Sequence, residues 1–211
     1  MPAAILLIIV SVGLIPDELA KFQGKGHQWK LLMATVIIID VVLSWRYSMA
    51  NYNMKNFQVG RNGDAFWAYA PDIDPRGLAV TQLLNHLATA VPPRATVAIL
   101  PEGAMINYLS RHANSVPFIL VNPFETEVFG EKTILDSFKH SPPHYIVLVH
   151  PDSRGHGTDS SGLSSSCGKE TLEWINSRYE PVWHILTEPL KDGRFGIKML
   201  KQKSPGEAGE K

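Results

Sequence analysis

Apolar residues are concentrated at the start of the chain, in two runs separated by a polar segment. Residues 3–15 carry no charge and are closed by Pro16-Asp17-Glu18, and a second run over residues 31–45 contains one charged residue, Asp40. Both runs are apolar on every face rather than along one stripe, which is typical of helices in lipid or in the interior of a bundle. The pattern therefore predicts a membrane anchor over residues 1–47, with spans at 1–16 and 30–46.

The flanks of the second run favour a membrane-spanning helix. A span needs roughly 20 residues, and each run reaches that length only with its flanks. The flanking residues are of the aromatic and basic types found at the membrane interface: Trp29, Lys30, Trp45, Arg46 and Tyr47. Two alternatives stay open. One is a secretory signal over residues 1–15, which lacks a preceding basic residue and a small-x-small cleavage site. The other is a buried core helix over residues 31–43.

Charged residues in and between the two runs affect the free energy of membrane insertion and the expected orientation of the anchor. A carboxylate at the depth of Asp40 is costly unless it faces a partner helix, a polar cavity or water. Lys21, Lys25 and Lys30 are concentrated in the short segment between the two runs. Because basic loops stay in the cytoplasm, this favours an extracytoplasmic, periplasmic-side location for the C-terminal domain.

After the anchor, short apolar runs alternate with amphipathic segments. Residues 48–77 predict a connector with some extended structure. The predicted strands are 96–100, 118–121 and 145–149, and the predicted helices are 78–90, 104–112, 131–140 and 169–179. Continuous apolar strands that alternate with helices indicate a parallel sheet covered on both faces. We therefore expect a three-layer, Rossmann-like α/β domain over residues 78–201. It has a short parallel sheet, a terminal β-hairpin (182–187 and 195–200) and a disordered tail over residues 202–211.

The composition and the absence of common nucleotide-binding and hydrolase motifs exclude several classes of function. Lys+Arg and Asp+Glu are both 20, so no global field attracts nucleic acid, and no nucleic-acid partner is expected. The single Cys167 excludes an intramolecular disulfide and a multi-cysteine metal site. The chain lacks Gly-x-Gly-x-x-Gly directly after a strand, a Walker Lys-Ser/Thr and the Gly-x-Ser-x-Gly elbow of hydrolases. No cofactor is predicted.

Four polar residues are candidate ligand-binding residues. Glu102 follows the strand 96–100 at the edge where α/β sheets usually bind ligands. Its structural alternative is a first-turn acid stabilised by the helix dipole. Asn107 lies within a helix that its residue type does not favour, where its amide could instead support the backbone of a neighbouring loop. His150 and Asp152 follow the strand 145–149, at the same predicted edge.

Three further patterns favour structural interpretations. His150, Asp152, His156 and Asp159 could form a metal site or an acid–base pair, but they lack the helical His-x-x-x-His spacing of zincins, so no metal is predicted. The carboxylates at 64, 72 and 74 lack the glycine and the terminal glutamate of an EF-hand and indicate solvated turn acids. Cys167 before a helix could have a lowered pKa, but a plain loop thiol is the simpler interpretation.

One segment carries a family resemblance. Residues 97–111 read VAILPEGAMINYLSR and contain PEG-x-x-x-NYL-x-R. Other matching pieces are Gly63-Asp64, Asn122-Pro123, Val149-His150 with Asp152, Trp174-Ile175 with Tyr179-Glu180-Pro181-Val182, and Phe195-Gly196-Ile197. On these residues the chain from about 46 to 200 resembles the soluble C-terminal domain of bacterial multi-pass glycosyltransferases. These transferases are similar to the dolichyl-phosphate-mannose protein mannosyltransferases.

The resemblance implies transfer of a sugar from a polyprenyl-phosphate carrier, with the catalytic acid in the first extracytoplasmic loop. No position of this chain matches that loop, the chain has at most two spans, and its Ser-rich residues 160–166 are an addition to the family pattern. We therefore expect a truncated, membrane-anchored domain without catalytic residues, which positions an acceptor or stabilises an assembly. Its expected partners are the lipid bilayer and the remainder of a membrane glycosyltransferase.

Two alternatives remain. The chain could be an independent anchored module that holds a small polar ligand at Glu102, His150 and Asp152, or an enzyme that uses those same residues.

Overall fold

The computed structural model describes residues 26–150, 168–191 and 194–204, and the chain divides into two compact units, Met1–Lys55 and Asn56–Lys211. In the first unit the described secondary structure is one helix, α1 (Gly26–Asn53). The predicted span 1–16 and residues 205–211 of the predicted tail lie outside the described residues. The second unit contains every described strand and the remaining helices.

Helix α1 has the length and composition of a membrane span. Its segment Leu31–Asn53 has 23 residues and is apolar enough to cross a membrane. At 1.5 Å per residue this segment is about 35 Å long, which exceeds the hydrocarbon core of about 30 Å. None of its apolar window is buried, which is the opposite of what a core helix shows. The prediction of a long apolar helix at 30–46 is confirmed, and the helix continues to Asn53.

A small antiparallel ribbon opens the second unit. Strand β1 (Phe57–Val59) pairs with β2 (Phe66–Ala68), and a 3-10 turn (Asn62–Asp64) joins them. The ribbon packs closely on helix α2 (Arg76–Ala90), because a Cβ at Gly77 would come within 2.8 Å of the Ala68 side chain. The segment predicted as a connector therefore contains a folded ribbon, and α2 begins two residues before the predicted helix.

A four-stranded mixed sheet forms the centre of the second unit. Its strands are β3 (Val97–Leu100), β4 (Tyr145–Val149), β5 (Tyr179–Leu186) and β6 (Gly196–Gln202), in the order β3-β4-β6-β5. Among the described strands, only β3 and β4 pair in parallel, and β6 lies antiparallel to both β4 and β5. The predicted terminal hairpin is confirmed, and it supplies half of the sheet. The unit is therefore a mixed α/β fold.

Alternating side chains of the strands belong to two hydrophobic clusters. In β3, Ala98 and Leu100 belong to one cluster and Val97 and Ile99 to the other. This follows from the two-residue period of a strand, which sends successive side chains to opposite faces. The first cluster includes Ile134, Phe138 and Ile175 from helices α5 (Glu131–His140) and α6 (Lys169–Arg178). The second includes Ala79, Leu83 and Leu87 from α2 and Ile106 from α3 (Ala104–Ser110).

The predicted strand at 118–121 is wrong. Only an isolated antiparallel bridge between Leu120 and Glu102 forms there. Asn114 explains the difference, because its side chain bonds the backbone N–H of Val116 and the carbonyl of Phe118, which folds the segment into a local loop. The following residues form an additional helix, α4 (Pro123–Phe129), with Asn122 as its N-cap and proline in its first turn. By contrast, α5 and β4 occupy their predicted residues.

Candidate functional site

The carboxyl ends of β3 and β4 bring two predicted site residues to the same edge of the sheet. Leu100 pairs with Leu148 in parallel register, and Glu102 and His150 each follow two residues later. Glu102 precedes helix α3 rather than lying in its first turn, and its side chain is exposed. His150 is buried, and its backbone N–H donates to the carbonyl of Gly196 at 3.0 Å. The two residues share an edge but differ in their access to solvent.

His150 is the more unusual of these two residues. Its side chain is 5% exposed, and Nδ1 has no hydrogen-bond partner among the described residues. A buried polar atom without a partner costs about 1–3 kcal/mol, so such atoms call for an explanation. The residues that follow it, including Asp152, His156, Asp159 and Cys167, lie outside the described part of the chain.

The described residues form no group of three His, Cys, Asp or Glu side chains able to hold a metal ion. Two carboxylates of the predicted turns, Asp64 and Asp74, bind other protein groups. Asp74 accepts from Arg76 Nε at 2.9 Å and from the Arg76 backbone N–H at 3.0 Å, before α2 begins.

Asn107 supports the backbone. Its Nδ2 donates to the carbonyl of Val97 at 2.7 Å and to the carbonyl of His112 at 3.1 Å. These two carbonyls lie at the start of β3 and just after α3, so one amide group fastens the end of the helix to the beginning of the strand. This is the arrangement that the structural interpretation of Asn107 predicts, and it places Asn107 away from the edge that carries Glu102.

A polar cleft lies near the end of α3, away from the sheet edge that carries Glu102. It has a volume of about 290 Å³, and its walls come from the 3-10 turn, the outer face of α2 and the end of α3. The polar lining residues are Arg61, Asn62, Asp64, Thr81, Asn85, Ser110 and Arg111. Because α3 runs back from the carboxyl end of β3, its last residues lie beside the start of that strand. The cleft is therefore not at the edge where the sequence predicts a ligand.

Asp64 joins two walls of the cleft. Tyr108 donates to Asp64 Oδ1 at 2.6 Å, and Arg111 forms an ion pair with Oδ2. The guanidinium carbon of Arg111 also lies 4.5 Å from the centre of the Tyr108 ring, a cation–π arrangement. The carboxylate of the turn is thus held by two side chains from the end of one helix.

Arg61 has a different environment. Its Nη2 donates to Oδ1 of Asn85 at 3.2 Å, so its described partner is a neutral amide. In the sequence, Arg61 lies in a run with turn composition and Arg111 in the resemblance motif, but neither pattern brings its arginine to a site. The available signals were the turn Gly60-Arg61-Asn62-Gly63-Asp64 and the arginine of NYL-x-R. Neither signal shows that α2 supplies the third wall.

Comparison of the chain with protein-family models, with curated proteins and with solved structures finds no match. The family resemblance of residues 46–200 therefore stays a prediction.

Proposed function

We propose that the protein is a membrane-anchored α/β module that serves as the extracytoplasmic C-terminal domain of a mannosyltransferase-like membrane glycosyltransferase. In this proposal it positions an acceptor or stabilises the assembly and has no catalytic centre of its own. The observation that carries the anchor is the 23-residue apolar segment Leu31–Asn53, with exposed large side chains such as Leu31, Ile38 and Trp45. The anchor consists of this span, alone or with a second span at 1–16.

Contacts among the resemblance segments support a structural role for them. Asp64 of the Gly63-Asp64 segment binds Tyr108 and Arg111 of NYL-x-R. The backbone of His150 bonds Gly196, which joins two further segments. Residues that bind one another in this way maintain a fold, which agrees with a domain that assists a catalytic part elsewhere.

Residues in or next to two further resemblance segments also make contacts within the domain. Trp174 packs edge-on against Tyr179 with ring centres 5.7 Å apart. The backbone N–H of Val121, next to Asn122-Pro123, donates to the carbonyl of Pro101 at 2.7 Å.

The proposed fold of this module is a three-layer, Rossmann-like domain. It is supported by the parallel pair β3–β4, by the connection of those strands through helices, and by the alternation of Val97, Ala98, Ile99 and Leu100 between two clusters that contain different helices.

A second candidate function is an independent anchored module that binds a small polar ligand. The observation that favours it is the cleft at the end of α3, where charged and amide side chains from three elements converge. Small-ligand sites are concave and carry a few convergent polar groups, and this cleft has both properties.

Membrane partition tests the anchor. The full-length chain expressed in bacteria should remain in the membrane pellet after alkaline carbonate extraction. Added protease should reach residues 56–211 in spheroplasts without lysis. Recovery of the wild-type chain in the soluble fraction would contradict the anchor, and protection from protease would contradict the extracytoplasmic location.

Two double variants test whether the anchor has one membrane span or two. Ile38→Arg with Val42→Arg places two charges at the centre of α1, where each costs about 3 kcal/mol. Asn51→Arg with Asn53→Arg places the same charges at the end of α1, where they are tolerated. Release of the first variant alone indicates a single span, whereas retention of both indicates that the run 1–16 also anchors the chain.

The absence of catalysis is tested with the purified full-length chain in detergent. We expect no sugar transfer from a polyprenyl-phosphate sugar. Turnover by this chain alone would contradict the proposal.

A further inference from the structure

The cleft between the 3-10 turn, α2 and α3 is lined by two guanidinium groups and one carboxylate. Its one carboxylate, Asp64, has one oxygen bound by Tyr108 and the other by Arg111. The acceptor oxygen of Asn85 is taken by Arg61. The groups of Arg61, Asn85 and Arg111 left to face a ligand are therefore N–H donors, namely the remaining guanidinium hydrogens and Nδ2 of Asn85. The lining also contains the amide of Asn62 and the hydroxyls of Thr81 and Ser110.

The charge of the lining is also unbalanced. Arg61 and Arg111 carry two positive charges, and Asp64 carries one negative charge. Arg111 is paired with that carboxylate, whereas the described partner of Arg61 is the uncharged amide of Asn85. Among the described residues, the positive charge without a carboxylate partner is therefore that of Arg61, in the wall that the turn contributes. A guanidinium group binds oxyanions better than it binds an amide, because the hydrogen bonds are then charge-assisted and can be paired.

The backbone around the cleft is unusual at the same place. Asn62 has a φ of 54° and Arg111 a φ of 61°, both in the left-handed region that residues with side chains seldom adopt. Gly60, with a φ of 87°, also lines the cleft. Left-handed residues thus flank Arg61, which is itself extended, and Arg111 is left-handed. Such conformations persist only where the surrounding structure maintains them, and they cluster at binding sites.

We propose that this cleft binds a phosphate group, with Arg61 as the principal ligand and Arg111 and Asn85 as supporting donors. A volume of about 290 Å³ is large enough for a phosphate group with a small organic substituent. The site deepens the second candidate function by naming its ligand chemistry, and it does not depend on the membrane anchor. Two sources can present such a group: a soluble phosphomonoester and the headgroup of an anionic lipid.

The test uses the full-length chain in detergent micelles, with inorganic phosphate and glycerol 3-phosphate as probes. Sodium chloride at matched ionic strength and glycerol serve as blanks. Both phosphates should raise the Tm of the wild-type chain, and calorimetry should give a measurable Kd. Arg61→Gln should raise that Kd by about tenfold or more, because a charge-assisted hydrogen bond is lost.

Two variants separate binding from folding and from net charge. Asn85→Asp changes an exposed residue, keeps its shape and places a carboxylate against Arg61, so it should weaken phosphate binding without lowering the Tm of the free chain. Arg94→Gln removes the same charge as Arg61→Gln at another exposed position, outside the cleft, and should bind phosphate as the wild type does.

The outcomes decide the proposal and the source of the phosphate. Protection by glycerol 3-phosphate indicates a soluble ligand. Protection only in nanodiscs that contain phosphatidic acid, relative to phosphatidylcholine alone, indicates a lipid headgroup. The proposal is overturned if no phosphate binds, or if Arg61→Gln and Arg94→Gln bind alike. Neither of these two results changes the partition of the chain into membranes. Failure of the phosphate site is therefore distinguishable from failure of the membrane anchor.

Discussion

The hydroxyl of Tyr108 donates a 2.6 Å hydrogen bond to Oδ1 of Asp64, which connects residues 44 positions apart in the sequence. Arg111, one helical turn beyond Tyr108, binds the other carboxylate oxygen. One acidic residue of the turn between β1 and β2 therefore fixes that turn to the end of α3. The contacts of Asp64 hold two walls of the polar cleft together, and they join the Gly63-Asp64 and NYL-x-R segments.

Replacing Asp64 with Asn should lower the free energy of unfolding by about 1 kcal/mol. The ion pair with Arg111 would be lost, but the two side chains are 33% and 62% exposed, so water screens most of their attraction. The measurement is urea unfolding of the full-length chain in detergent, followed by tryptophan fluorescence. Asp72→Asn changes an exposed turn carboxylate and is the matched control. Equal effects of the two substitutions would show that the Asp64 contacts contribute no stability.

Asn107→Asp should destabilise the second unit more than Asn107→Ala. Asn107 donates to two carbonyl oxygens, those of Val97 and His112. Alanine leaves both acceptors without this donor, which costs about 1–3 kcal/mol, and aspartate adds repulsion between its carboxylate and the same oxygens. Thermal unfolding of the full-length chain measures both changes. Asn176→Asp, at an exposed position of α6, is the control and should have little effect. The reverse order, with alanine the more damaging, would contradict the proposed role of the amide.

The spacing of apolar residues along the sequence was enough to predict α5 and β4. Residues 131–140 have apolar positions at helical spacing and form α5, and residues 145–149 form a continuous apolar run and become β4. The segment 118–121 is apolar too, but side-chain bonds from Asn114 compete for its backbone, and a short run does not reveal that competition. The prediction also missed α4, although Asn122 and Pro123 are ordinary start signals for a helix.

The cleft depends on tertiary structure. Arg61, Asn85 and Arg111 come from a turn, a helix face and a helix end, and their separations in the sequence carry no periodic signal. The predicted edge site rested on a general property of α/β sheets. That property correctly placed Glu102 and His150 at one edge, but it gave no information about the far end of α3.

Gly196→Ala should destabilise the sheet strongly, by about 3 kcal/mol or more. A Cβ at Gly196 would overlap the carbonyl oxygen and carbon of Thr187, which are backbone atoms that cannot rotate away. The clash therefore falls between the end of β5 and the start of β6, and it would also disturb the hydrogen bond that the carbonyl of Gly196 accepts from the backbone of His150. Gly63→Ala is the matched control, because a Cβ there would have no neighbour within 4 Å. Equal Tm values for the two variants would contradict the packing around Gly196.

Tyr179 links β5 to the loop before β4 from inside the core. Its side chain is 3% exposed, and its hydroxyl donates to the carbonyl oxygen of Pro143 at 2.8 Å. Burial raises the pKa of Tyr179 well above its ordinary value of 10.0, because the charged phenolate would lose its hydration. The folded protein therefore keeps this proton at pH values at which the unfolded chain releases it.

The pH dependence of stability follows from this difference in proton binding. Because the pKa of Tyr179 is higher in the folded state, its contribution to stability is fully present below the unfolded value of 10.0 and is lost as the pH rises beyond it. The loss is about 1.4 kcal/mol by about pH 11, since each pH unit beyond the unfolded pKa is worth about 1.4 kcal/mol.

Tyr179→Phe should be less stable by about 1 kcal/mol at neutral pH, because Pro143 loses its donor, yet it should lack this alkaline loss. Denaturant unfolding of both proteins from about pH 8 to about pH 11 measures the difference, and the titrations of the other tyrosines and the lysines cancel because both proteins share them. The two curves should converge and then cross. Parallel curves over this range would show that Tyr179 titrates alike in the folded and unfolded chains.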